Sequence, residues 1–110
     1  MAYDEELANR IREALGGQAV TEKKMFGGLA FLVSGHMSVS ASGKGGLLVH
    51  VDPDQTDDLL AEPGAEPFEM RGRGPMNGWV RVSPDVLDDE ATLSQWVDRG
   101  VAYARLLPPK

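Results

Sequence analysis

No cysteine occurs among the 110 residues. That excludes a disulfide framework, a thiolate nucleophile and thiolate metal ligation. Positive charge is also in deficit: 11 lysines and arginines stand against 17 acidic residues, a net charge of −6. Nucleic-acid affinity comes mostly from neutralising phosphates, so direct nucleic-acid binding by this domain alone is not expected. No apolar run approaches membrane length, and Tyr3-Asp4-Glu5-Glu6 is the opposite of a basic signal n-region. The expected address is cytoplasmic, with no membrane partner. What remains is 42% hydrophobic and 25% charged, the balance of one soluble globular domain over residues 1–110 with a single core.

The pattern predicts a helix from Asp4 to Leu15, with Leu7, Ile11 and Leu15 on one stripe, Asp4 as N-cap and Gly16-Gly17 as the stop. Residues Val20 to Met25 lead into Gly27-Gly28. Three strand-like runs follow. Leu29, Phe31 and Val33 share a face in the first, Met37, Val39 and Ala41 in the second, and Leu47, Val49 and Val51 in the third. Ser34-Gly35 and Gly43-Lys44-Gly45-Gly46 link them, so an antiparallel meander is expected. Asp52-Pro53-Asp54-Gln55 opens a short helix with Leu59 and Leu60 on its apolar side. A strand at Glu66–Met70, with Phe68 and Met70 inward, is followed by a loop from Arg71 to Gly78. The strand Trp79–Val82 comes next. A last helix, capped by Asp88 or Asp89 and closed by Pro108-Pro109, carries Leu93, Trp96, Val97, Gly100, Val101, Ala104 and Leu107 as an apolar stripe.

No catalytic constellation stands out. His36 follows a hairpin glycine and reads as an exposed strand residue. His50 and Asp52 are two apart on one strand and read as a surface pair, since two ligands fall short of the three or four of a zinc site. Ser38, Ser40 and Ser42 have no base beside them. Gly43-Lys44-Gly45-Gly46 lacks P-loop spacing and leads into a strand, and Gly72-x-Gly74 fails as a dinucleotide fingerprint for the same reason. The carboxylates of Asp57-Asp58 and Asp88-Asp89-Glu90 sit at helix ends, where capping explains them. Arg71, Arg73 and Arg81, with Lys23 and Lys24, are either solvated loop charge or a small basic patch beside Trp79.

As a whole the chain resembles the TfoX N-terminal domain family. The resemblance rests on Met25-Phe26-Gly27-Gly28, Phe31, Gly35, Met37, Leu47-Leu48-Val49-His50-Val51 and Pro67-Phe68-Glu69-Met70. It continues in Gly72-Arg73, Met76-x-Gly78-Trp79 and the helix bearing Trp96. It implies an α+β fold, an antiparallel sheet with helices in the order α-β-β-β-α-β-β-α, of the type shared with secretion chaperones. The pattern of residues leads to the same order independently. Two positions depart from the family: His50 stands where an arginine is common, and Gly74-Pro75 lengthens the Gly-Arg to Met spacing by one residue. The family's namesake regulates natural competence and carries a second, C-terminal domain, whereas this sequence stops at Lys110. The resemblance implies a non-enzymatic regulatory or protein-interaction module, linked to transcription or competence, with an unidentified protein partner and no cofactor or metal. A homodimer is expected from the second sheet face, where Ala30, Leu32, Leu48 and Trp79 lie among His50 and Arg81 and the second helix, with Leu59 and Leu60, is too short to cover them all; the rival is that strand register or twist turns some of these side chains inward. The alternative is a small-ligand or nucleotide-binding domain. Either reading draws on Lys24, Phe26, Gly27, Gly28, His50, Arg73, Trp79 and Arg81.

Overall fold

The structure, a computed structural model, describes residues 4–17, 20–25, 28–43, 45–70 and 74–108. Helix α1 (Glu5–Leu15) opens on Asp4, whose carboxylate accepts the N–H groups of Glu6 and Leu7. It stops at Gly16, where φ of +62° and ψ of −131° lie in a region that side chains avoid. Strands β1 (Thr21–Met25), β2 (Gly28–Val33), β3 (His36–Ala41) and β4 (Leu47–His50) follow as an antiparallel meander. A 3₁₀ turn (Pro53–Gln55), capped by Asp52, runs into α2 (Thr56–Leu60). Strands β5 (Ala65–Met70) and β6 (Gly74–Val82) form a hairpin, and α3 (Pro84–Leu87) and α4 (Glu90–Leu106) complete the chain.

The result is an α+β fold with one six-stranded antiparallel sheet in the order β1-β2-β3-β4-β6-β5. The expected element order holds, with two additions. The lead-in at Thr21–Met25 is an edge strand, and α3 precedes the last helix, capped by Ser83 with Pro84 in its first turn. Gly74–Gly78, expected in a loop from Arg71, belong instead to β6, with Met70 in register with Gly74. Hairpin pairing with β5 outweighs the turn preference of the Gly and Pro residues there.

All four helices pack on one face. Leu7, Ile11 and Leu15 of α1, Leu87 of α3 and Leu93, Trp96, Val97 and Val101 of α4 join Leu29, Phe31, Val33, Val39, Leu47, Val49, Val51, Val80 and Val82 in one buried cluster. Leu59 and Leu60 of α2 pack against it. Phe68 stays outside that cluster, contrary to expectation. It is half-buried, with its ring 6.3 Å from that of Trp79.

The helix-free face is less open than its composition suggests. Ala30 and Ser40 are buried, and Leu48 is only 9% exposed within the single chain. Among the described residues the one large apolar side chain that stands fully exposed is Leu106. Among the residues whose side chains are described, the wet apolar patch that argues for a dimer is therefore reduced to half-buried Leu32, Phe68, Trp79 and Met37, which pairs with Leu32 instead of sharing the core face with Val39 as expected.

A bidentate ion pair ties α1 to β1: Arg12 Nε and Nη2 donate to Glu22 at 2.7 and 2.6 Å. The hydrogen bonds from Arg12 hold the Glu22 carboxyl below its ordinary value of 4.5; partial burial opposes them and the guanidinium charge adds to them. A carboxylate depressed in the folded state stabilises above its unfolded value and loses that contribution as pH falls through the folded one. Glu22→Gln should therefore lower stability at neutral pH by under about 1 kcal/mol, as for an exposed pair. Denaturation at a series of pH values checks this. The gap to wild type should begin to close near pH 4.5 and vanish below the depressed value. A gap independent of pH would count against the pair.

Candidate functional site

The most connected polar position in the fold is the bulge on β3. Phe31 pairs with Val39, but Leu32 pairs with Met37, so Ser38 is the extra residue. Its hydroxyl, wholly buried, donates to the Phe31 carbonyl at 2.8 Å. On the helix side, α4 comes so close that a Cβ on Gly100 would overlap the Ser38 carbonyl oxygen. The glycine inside the apolar stripe is thus a matter of space.

On the other side of the bulge the β3–β4 ladder stops at Val39 and Val49. Beyond it the imidazole of His50 bridges the strands, with Nδ1 3.1 Å from the Met37 carbonyl oxygen. A carbonyl only accepts, so Nδ1 carries the proton. Trp79, directly opposite on β6, stacks on the imidazole with centroids 4.2 Å apart and planes 10° from parallel. Tyr103 of α4 meets the same ring edge-on at 4.9 Å. Trp79 is aimed by Gly78, whose φ of +91° suits glycine. The Gly78 N–H donates to Thr56 Oγ1 at 2.9 Å, and its carbonyl accepts from the Val51 N–H at 2.8 Å. His50 is therefore an internal strut between sheet and helix, not half of a surface pair; Asp52 caps the next turn instead.

The sequence-derived site residues separate. His50, Trp79 and Arg81 are neighbours on β4 and β6. Gly28 sits at the start of β2, where a Cβ would overlap the Ala41 carbonyl oxygen, a packing role. Lys24 lies on β1, with β2, β3 and β4 between it and β6. Phe26, Gly27, Arg71 and Arg73 lie outside the described residues. Arg81 folds back on the β3–β4 connection, with Nη2 donating to the Gly45 carbonyl at 2.9 Å and Nη1 to Ser42 Oγ at 3.4 Å. His36, half-buried on the helix side, donates from Nε2 to the Pro108 carbonyl at 2.6 Å and so fastens the end of α4 to β3. Tyr103 escaped sequence reasoning because a half-buried tyrosine in an apolar stripe carries no signal of its own.

A cleft of about 210 Å³ lies on the helix side of this cluster, lined by Val51, Asp52, Leu59, Arg99, Tyr103 and Leu106. It is smaller than the roughly 300–1,000 Å³ of most small-molecule sites. Arg99 on its wall is paired with Glu62 at 2.8 Å. Among the described residues no three His, Asp or Glu side chains are grouped to hold a metal ion, and no helix is long and apolar enough to cross a membrane.

Searches of curated proteins and of solved structures return no match. The family model for the TfoX N-terminal domain matches residues 10–104, which takes in every strand and the whole His50–Trp79–Tyr103 cluster, and the chain belongs to that family.

Proposed function

We propose that this chain is a non-enzymatic, cytoplasmic regulatory module of the TfoX N-terminal type that works by protein–protein interaction, as a homodimer. One observation carries the reading: the polar groups that chemistry would need are engaged by the architecture. His50 bonds to Met37, His36 to Pro108, Ser38 to Phe31, and Arg81 to Gly45. The link to transcription or competence control rests on family membership. For the dimer, Phe68 and Trp79 are half-buried aromatic residues on the helix-free face, the kind enriched where proteins meet.

Two measurements test this. In a thermal-shift screen against nucleotides and metabolites no compound should raise the melting temperature, since a ligand of the folded state stabilises it. A clear rise would favour the ligand-binding alternative. In light scattering at tens of micromolar, a range in which weak association shows, the wild type should be a dimer and Phe68→Glu a monomer. A monomeric wild type removes the dimer from the proposal.

A further inference from the structure

The sheet has two edges, and they differ. Strand β5 is blunted: Pro67 has no N–H to offer, and the pairing slips between Pro67 and Glu69. Strand β1 is regular, in unbroken register with β2 from Thr21–Leu32 to Met25–Gly28. An edge strand turns alternate N–H and C=O groups outward, where another strand can pair with them.

Charge says which strand. Arg10, Arg12 and Arg99 are each paired with a glutamate, at Glu90, Glu22 and Glu62. Lys23 and Lys24 are exposed on β1 and, among the described residues, form no ion pair. The Glu22 carboxylate beside them is already held by Arg12, so it does not cancel them. Lys23 and Lys24 point to opposite faces, Lys23 beside Ala30 and Lys24 beside Leu29. A second copy fits poorly. Two-fold antiparallel pairing centred on Glu22, Lys23 or Lys24 sets that charge directly against its own copy, and the Glu22 that would meet the other copy's Lys24 in the Lys23-centred register is already held by Arg12.

We infer that β1 is a docking edge for an extended acidic peptide segment of a partner protein, which adds a seventh strand and sets two adjacent carboxylates against Lys23 and Lys24. Main-chain pairing supplies affinity in such strand addition, and the side-chain pairs select the sequence. The carboxylates must be adjacent because successive side chains of the incoming strand also alternate between faces. In a chain of net charge −6, an acidic segment is repelled from most of the surface and drawn to this edge. This inference rests on the protein-interaction reading above.

The test uses the full chain and fluorescein-labelled peptides, read by anisotropy: Thr-Val-Thr-Glu-Glu-Thr-Val-Thr, its Lys-Lys counterpart, and the acidic peptide N-methylated at alternate residues. The acidic peptide should bind, and the Lys-Lys peptide should not. Reversing both lysines (Lys23→Glu with Lys24→Glu) should weaken the acidic peptide about tenfold or more and restore the Lys-Lys peptide. Both side chains are exposed, so the melting temperature should hold; Lys23→Ala with Lys24→Ala serves if the reversal does not fold. N-methylation should abolish binding, because it removes the main-chain donors. Hydrogen exchange should slow at residues 21–25 with the acidic peptide bound. No binding, equal binding by the reversed variant, or binding indifferent to N-methylation would each overturn the docking edge. If the chain still dimerises in light scattering, the interaction reading survives that failure. If it is a monomer that one of the screened metabolites stabilises, that reading falls as well.

Discussion

Trp96→Ala should cost about 3–5 kcal/mol in denaturant unfolding. A domain of this size has about 5–15 kcal/mol in total, so the variant should stand near its unfolding threshold. The indole is 1% exposed in the cluster that joins α4 to the sheet. It also carries the Arg99 guanidinium 4.6 Å above its ring, and Arg99 in turn holds Glu62 beyond α2. Removing the ring thus empties a core position and loosens the contact between α4 and the α2–β5 connection. Arg99→Ala, which leaves the core filled, should lose much less, in line with a cation–π contact of about 0.5–2 kcal/mol. A loss below about 1 kcal/mol for Trp96→Ala, well under the range for a buried tryptophan, would mean that the indole does not fill the core.

The second large effect runs against helix propensity. Glycine inside a helix is about 1 kcal/mol worse than alanine, so Gly100→Ala would ordinarily stabilise. Here the added methyl overlaps the Ser38 carbonyl oxygen and crowds Val39. A backbone atom at a bulge cannot swing aside as a side chain can, so α4 must lift from β3. Overpacking of this kind costs about 1–3 kcal/mol, and the predicted sign is therefore a net loss. Thermal melts of the two proteins decide it. A Gly100→Ala variant that melts above wild type would show that helix and bulge have room for a methyl group between them.

Gly100 stands out in the sequence while nothing there marks His50 as a strut, and the difference follows from the reach of each signal. A glycine inside a long apolar stripe is a local anomaly, visible within one turn of helix. The caps at Asp4, Asp52 and Asp89 are local too, and the helices begin just after them. The core faces of β2, β4 and β6 were legible because alternation survives wherever one face is buried. Strand β1 was missed because Thr21-Glu22-Lys23-Lys24 is an edge with solvated side chains, so no apolar alternation marks it. Helix α3 did carry a signal, serine followed by proline, but four residues give no periodicity to support it.

The candidate site depended on topology. His50, Trp79 and Tyr103 come together because β6, and not β5, lies beside β4, and because α4 crosses to β3 and β4. No local spacing encodes that choice. The same choice separates Lys24 from Trp79, which linear reading had pooled into one basic patch.

The packing of α4 also sets the order in which the molecule can be finished. The meander β1–β4 is built from neighbours in sequence and can form early, since local contacts close small loops. Its apolar face, with Phe31, Val39 and Val49, is covered by the helix that leaves the ribosome after every strand. Arg10 of α1 reaches Glu90, 80 residues later, and the Leu87 carbonyl, so the first helix is locked only when the final quarter of the chain arrives. During synthesis the nascent sheet is therefore apolar and uncovered, the state in which partly folded chains aggregate or recruit chaperones. Stalled chains ending before Glu90 should be sensitive to protease and captured by chaperones, while chains extended past Ala104 should be released.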